Sequence, residues 1–352
     1  MFISALHKIN IPLRKILIIQ LGDIGDVVWA IPAFRAVKAA FPQAELSVLT
    51  RKPNGDLLLD DPQINKVLQI ARQTLRNEIR FVLNLRKEKF DLAIDLRADD
   101  RGAFTSYLSG APMRAALYYP GLSWRNRLFT HLVAPEPAKE KSYGAAEQSL
   151  KIIRGLGIKE ETAVPRIHVT RELKDKMAAL IAEEKIAALT GWVSINPFSR
   201  WPYKEWDMEK WRQLAFFIWQ KYALPAVIIG SDVERKRAAE LVSCSQSPLY
   251  NLAGKTTLRE MPALLQMSRL HIGVDSAAPH IAAAVGTATL TIYGPSDWRD
   301  WAPPGDNHQV ILPDMKCSPC YRKGCEGKGR SLCLDSLDVA KVQITVEKML
   351  DG

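Results

Sequence analysis

Residues 15–41 read KILIIQLGDIGDVVWAIPAFRAVKAAF, and the order of residue types in this stretch decides the fold. Residues 16–20 form a short apolar run with the β-branched bias of a strand buried on both faces. Gly22 and Gly25 let the chain turn sharply and bring backbone close to a ligand. From there Val27, Val28, Ile31, Phe34, Val37 and Phe41 recur at helical spacing. The loop at 21–26 therefore joins the carboxyl end of a strand to the start of a helix, which is where open α/β sheets bind ligands. Two carboxylates, Asp23 and Asp26, lie in it.

The same alternation continues on both sides of the middle of the chain. Strands are predicted at 44–50 (AELSVLT), 66–70 (KVLQI) and 90–96 (FDLAIDL), with helices at 54–61, 74–88 and 142–156. After a charged helix at 171–189, strands recur at 192–196 (WVSIN), 226–229, 249–252, 270–274 and 289–293. Helices at 207–222, 234–243, 258–267 and 279–285 separate them, and one at 339–350 closes the chain. Alternating strands and helices imply parallel sheets covered by helices. Two such arrays predict two Rossmann-like domains with a ligand cleft between their strand-end faces.

The 352 residues suit two domains of ordinary size. The net charge of +10 points to an anionic partner, but the Lys and Arg residues are scattered: Arg51, Lys52, Arg86, Lys87, Lys89, Arg97, Arg101, Arg125, Arg127, Lys139, Lys141 and residues 235–237. No basic block or nucleic-acid motif appears, so a nucleic-acid partner is not expected. The chain has no apolar run of about 18 residues, and residues 1–15 are too interrupted for a secretory signal. A cytoplasmic protein is expected.

Neither half carries G-x-G-x-x-G or G-x-x-x-x-G-K-[ST], against the common dinucleotide-binding and P-loop families. The first half has G-D-I-G-D and the second G-V-D-S-A-A-P-H at 273–280. There Asp275 or Ser276 suits a helix N-cap, and the following N–H groups can hold a phosphate; equally, Asp275 can serve as a cap alone. Lys204, in SRWPYKEW at 199–206, can reach phosphates as a point charge. Arg97, Asp99, Asp100, Arg101, Thr105 and Ser106 follow a strand end and face the cleft, or simply cap a helix and pair on the surface. The segment 118–131, YYPGLSWRNRLFTH, mixes aromatics with arginines, which suits a lipid surface, a phosphorylated sugar or an ordinary packed loop.

Taken together these stretches resemble the bacterial lipopolysaccharide heptosyltransferases, glycosyltransferase family 9. The resemblance rests on residues 15–42, INPFSRWPYKEWDMEKW, VIIGSDVERKRAAEL, NLAGKTTLREMPALL and HIGVDSAAPHIAAAVGTATLTIYGPSD, in order along nearly the whole chain. It implies the GT-B fold: an acceptor-binding domain over 1–170, a linker helix over 171–190, a nucleotide-sugar domain over 191–335 and a closing helix over 336–352. It further implies inverting transfer of heptose from ADP-heptose to the lipopolysaccharide inner core, with no catalytic metal. Asp26 matches the family's general base, with Asp23 as a rival where some relatives carry hydroxyl residues. Gly22, Gly25, Arg97 and Arg101 fall on the acceptor side. Trp29 stands where other members often carry His. Lys204 matches the lysine on the donor diphosphate and Ser199 a second phosphate contact. Asp275 matches the Asp beside the donor sugar, and Ser276 and Ala277 the backbone phosphate cradle. Asp232 or Glu234 matches the acid on the ribose hydroxyls, and Gly254, Lys255 and Thr256 lie near the adenine. His280 reads as structural.

Cys317, Cys320, Cys325 and Cys333 are spaced C-x₂-C-x₄-C-x₇-C, with Cys244 apart. In a cytosolic protein such a cluster favours metal over disulfide, though its spacing is not a standard zinc-ribbon pattern; a structural zinc site is one expectation, and reduced thiols or adventitious disulfides are the other. Lys316, Arg322, Lys323, Lys328 and Arg330 make the loop basic, suited to an anionic lipid or the acceptor. The expected function is an ADP-heptose transferase acting on a lipid-anchored acceptor, held peripherally on the inner face of the inner membrane. The alternatives are the same fold with another nucleotide sugar or surface glycan, and a non-catalytic protein binding an anionic polymer.

Overall fold

The computed structural model describes residues 12–71, 74–97, 99–134, 145–186, 191–327 and 329–351. Residues 1–11, Lys139, Lys141, Lys328, the first residues of the helix expected from 142, and 187–190 of the expected linker lie outside them. The chain divides into two compact units, Met1–His168 and Val169–Gly352.

In the first unit, strands β1 (Lys15–Gln20), β2 (Glu45–Arg51), β3 (Lys66–Ile70), β4 (Leu92–Asp95), β5 (Met113–Leu117) and β6 (His131–Val133) form one parallel sheet in the order 3-2-1-4-5-6. Helices α1 (Ile24–Ala40), α2 (Leu75–Lys87), α3 (Asp100–Leu108), α4 (Ser123–Asn126) and α5 (Ala146–Gly155) connect or cover them. Ile16, Leu17, Ile18 and Ile19 of β1 are all buried, as a strand covered on both faces requires. Each such side chain contributes roughly 1.5–3 kcal/mol through the apolar area it removes from water.

The second unit opens with α6 (Arg171–Glu183) and builds its sheet from β7 (Val193–Asn196), β8 (Ala226–Ile228), β9 (Leu249–Asn251), β10 (Leu270–Val274), β11 (Thr289–Ile292) and β12 (His308–Ile311). Its helices are α7 (Met208–Tyr222), α8 (Arg235–Ser243), α9 (Met261–Gln266), α10 (Ala277–Ala284), α11 (Trp298–Trp301), α12 (Leu332–Ser336) and α13 (Val339–Asp351). The strand order is 12-11-10-7-8-9. Read from the other edge, this is the order of the first sheet. Both units are doubly wound, and in each the order reverses beside the first strand: between β1 and β4, and between β7 and β10. This is the GT-B fold class.

Three strands were not expected from the pattern. β5 is rich in alanine, β6 has three residues, and β12 is a half-exposed edge strand, so none shows a strong apolar signal. The segment at 118–131 is not a plain loop: it holds α4 and the first residue of β6. The helix expected over 54–61 is a 3₁₀ segment at Asn54–Leu58. The helix expected over 171–189 stops at Glu183, with Lys185 in the left-handed region (φ 52°). It packs with α9, and Lys176 pairs with Glu260. Among the described residues no helix is long and apolar enough to cross a membrane.

Candidate active site

In the first unit the candidates gather at the reversal between β1 and β4. Asp23 is the N-cap of α1, in extended conformation (φ −76°, ψ 178°), and forms a reciprocal capping box with Asp26. The Asp23 amide donates to Asp26 Oδ2 at 2.8 Å, and Arg97 Nη1, just past β4, donates to the same oxygen at 2.6 Å. Arg97 Nε also lies 3.2 Å from Asp99, the N-cap of α3. Gly22 is required here: a Cβ on it would lie 2.5 Å from Asp26. The loop is braced from behind, with the Gly22 amide donating to Gln20 Oε1 at 3.1 Å and Asn54 Nδ2 donating to Gly22 O at 2.9 Å. Asp26 is held close to the sheet, with its side chain 15% exposed, whereas Asp23 is 61% exposed and has Arg51 4.0 Å away.

Gly25 lies in the first turn of α1. Arg101 turns away from Asp26 and pairs with Glu78 of α2 at 3.6 Å. Trp29 is 1% exposed, so at this position the side chain belongs to the interior of the unit. Sequence reasoning missed Arg125 as an individual residue. It is 4% exposed, stacks over Tyr119 at 4.6 Å, and its Nη2 is buried without a hydrogen-bond partner among the described residues. An arginine in a turn is ordinarily solvated, and only the fold shows this one to be buried just beyond β5.

In the second unit the candidates gather at the equivalent reversal, past β7 and β10. Lys204 Nζ lies 2.6 Å from Asp275 Oδ2, with both side chains mostly buried. Ser199 Oγ donates to Asp275 O at 3.4 Å, and Ser276 Oγ to Asn196 Oδ1 at 3.4 Å. Asn196, at the end of β7, was not singled out from the sequence. Of the two cap candidates, Ser276 holds the N-cap position of α10, and the Asp275 carboxylate is turned to Lys204. Ala277 is the first residue of α10, whose leading amides have no intrahelical acceptors. The loop carrying Lys204 is anchored by Glu205, which accepts from the Ser199 amide at 3.0 Å and from both terminal nitrogens of Arg237. That pairing holds the Arg237 guanidinium above its ordinary pKa. His280 is buried in α10, and desolvation lowers its pKa to about 4.

Asp232 and Glu234 differ in what they do. Glu234 Oε2 accepts from the Ser231 amide at 2.6 Å and from Ser231 Oγ at 2.8 Å, so it closes a capping box. Asp232 is 77% exposed, held by Arg235 at 2.8 Å, and sits against Gly254. Gly254 has φ +73°, and a Cβ there would meet Asp232 Cα at 2.7 Å, so only glycine allows this contact. Arg235 ties the two loops together by donating to Gly254 O at 3.1 Å. Thr256 is half-buried in the same loop, but Lys255 pairs with Glu184 at 2.5 Å, at the end of α6.

Each unit therefore places a charged cluster where a doubly wound sheet binds ligands. A family model described as glycosyltransferase family 9 (heptosyltransferase) matches residues 79–330. The chain belongs to glycosyltransferase family 9. The enzyme is 26% identical over 291 residues to lipopolysaccharide heptosyltransferase 3 of Escherichia coli K12, covering 79% of this chain and 82% of that one. Among solved structures it is similar to the family 9 glycosyltransferase of Veillonella parvula, with TM-score 0.80 and 17% identity over 97% of this chain and 99% of that one. It is similar to E. coli ADP-heptose lps heptosyltransferase II, with TM-score 0.78 and 20% identity over 96% and 98%.

The cysteines of this glycosyltransferase do not fit the zinc expectation. Cys317, Cys320, Cys325 and Cys333 are free thiols, and among the described residues no group of three or more His, Cys, Asp or Glu side chains is placed to hold a metal ion. Cys333 belongs to the apolar core with Leu334 and Leu337. Burial there pushes its thiol up to about 11, and Cys320, Cys325 and Cys317 add to the shift.

Proposed function

We propose that this glycosyltransferase moves a heptose from ADP-heptose to the inner core of lipopolysaccharide, with inversion at the anomeric carbon. The observation that carries the reading is the Lys204–Asp275 pair beside the first amides of α10. A lysine and a helix N-terminus together suit a diphosphate. The relatives' substrates, named in their descriptions as lipopolysaccharide and ADP-heptose, support the choice of donor and acceptor.

In the proposed reaction Asp26 Oδ1 takes the proton of an acceptor hydroxyl as that oxygen attacks the anomeric carbon. The bond from that carbon to the diphosphate oxygen breaks, and ADP leaves. A single displacement inverts the configuration. Lys204, the amides of Ser276 and Ala277, and Ser199 offset the charge that grows on the leaving diphosphate. Asp275 orients Lys204 and meets the donor sugar. Asp232, the exposed acid of its pair, takes the ribose hydroxyls, with Gly254 and Thr256 beside the adenine. Arg97 positions Asp26, and Gly22 and Gly25 keep its loop open to the acceptor. The buried Arg125 guanidinium takes an acidic group of the acceptor, because an unpaired buried charge is costly without one. The reading requires no cofactor and no nucleic acid, and it places the enzyme in the cytoplasm against the inner membrane.

Nucleotide protection tests the donor site. A ligand that binds only the folded state stabilises it by about 2.7 kcal/mol at a hundredfold excess over Kd. ADP is expected to raise the melting temperature of the wild type and to lose most of that effect in Lys204→Ala. Protection by UDP or GDP but not by ADP would redirect the assignment to another nucleotide sugar.

A further inference from the structure

Seven of the sixteen large apolar side chains exposed among the described residues fall on α2, α3 and the segment around α4. On α3, Phe104, Tyr107 and Leu108 are exposed at spacings of three and four, so they form one stripe along the helix. Trp124 of α4 lies against this stripe, its ring 5.5 Å from that of Phe104. Arg101 shares the helix face of Phe104 and Leu108 and reaches across to Glu78 of α2 at 3.6 Å. On α2, Ile79 and Leu83 are more than half exposed, one turn apart.

Around this strip the exposed charge is almost all positive. Arg76, Arg80, Arg86, Lys87 and Arg127 are exposed. The acids nearby are taken: Glu78 by Arg101, Glu88 by Lys66 and Lys15, and Asp99 by Arg97. Asp100 is the exposed exception. Aromatic and aliphatic side chains at half exposure, ringed by Arg and Lys, match a layer that is apolar below and anionic above. A second copy of the chain does not match it, because a two-fold contact would set these cations against themselves.

We propose that the exposed faces of α2 and α3, with Trp124, form a docking surface for an anionic phospholipid bilayer. The surface adjoins the acceptor side of the first unit: α3 follows β4, whose end carries Arg97, and α4 follows β5. The enzyme would thus meet a lipid-anchored acceptor at the membrane plane. In that respect the inference rests on the function proposed above, but its test needs no sugar nucleotide, so the two fail separately.

The test is co-sedimentation of the full chain with vesicles of phosphatidylcholine mixed with phosphatidylglycerol, and with vesicles of phosphatidylcholine alone. Wild type is expected to sediment with the anionic vesicles and to be released by salt. Arg76→Gln with Arg80→Gln is expected to weaken binding by about fivefold per arginine removed. Phe104→Ser with Leu108→Ser is expected to weaken it by roughly tenfold or more, because insertion scales with buried apolar area. Unchanged urea midpoints identify the variants as folded. Wild type that ignores anionic vesicles, or folded variants that bind like wild type, would overturn the proposal. So would vesicle-independent self-association that disappears in the Phe104/Leu108 variant, which would make the occupant a second copy.

Discussion

Asp26 Oδ2 is occupied by the Asp23 amide and Arg97, which leaves Oδ1 for the acceptor hydroxyl of the proposed reaction. Asp23 has the opposite character: exposed, at the helix cap, with its amide committed to Asp26. Glu234 and Asp232 also differ in setting: Glu234 closes a capping box, and Asp232 is exposed and held by Arg235. Glu234→Ala breaks a capping box and is expected to cost about 1 kcal/mol in unfolding free energy while leaving the donor KM within a few fold. Asp232→Ala is expected to leave stability within about 0.5 kcal/mol and to raise the donor KM about tenfold. Steady-state kinetics with urea titrations of both variants check this, and the reverse pattern would exchange their roles. The clustering of charged residues was legible where one loop carries its own chemistry, as in the stretches around Asp26 and Asp275. It was not legible where the partner comes from a distant element. The pairing of Lys255 with Glu184 and the burial of Arg125 depend on partners and packing that neither residue's own loop signals.

Among the described residues, nine of the twelve strands follow from apolar runs bounded by turn residues, and seven of these nine lie inside a parallel sheet, where a strand must be apolar on both faces. The three missed strands are short, alanine-rich or half-exposed, and their pairing is decided by neighbours rather than by their own pattern. The elements around the Lys204–Asp275 pair also bury two neutral histidines. His271 of β10 is fully enclosed, with Nδ1 2.9 Å from Ser194 Oγ, and desolvation lowers its pKa to about 3. His280 of α10 falls to about 4, mainly by desolvation, with Asp275 opposing and Lys204 reinforcing the shift. Above pH 6.5 both folded and unfolded chains hold these rings neutral, and the stabilisation is complete. As pH falls below that, the unfolded chain takes up protons that the folded one refuses, so stability drops until the folded pKa values are reached. The loss is roughly 2 kcal/mol per histidine by pH 5. Urea midpoints measured between pH 7 and 5 are expected to fall less steeply in His271→Gln than in wild type, and equal slopes would contradict the buried neutral ring.

At the scale of the whole molecule, two units with one strand order each bring a charged cluster to the point where that order reverses. The fold was legible because its signal is repeated along the chain, in strands, loops and helices that agree with one another. The net charge of +10 was also legible, but only the folded first unit shows cations gathered around an apolar strip on α2 and α3. The division of labour in the proposed reaction is argued from the clusters: a carboxylate with one open oxygen in the first unit, and a lysine beside helix amides in the second. The central claim is that Asp26 deprotonates the acceptor while ADP departs from the other cluster. The most direct test is ADP release from ADP-heptose with heptose-deficient lipopolysaccharide as acceptor, comparing wild type with Asp26→Asn. The account predicts acceptor-dependent release that falls by at least about 10²-fold in the variant. Release that survives the substitution would contradict the assignment of Asp26 and transfer the role to Asp23.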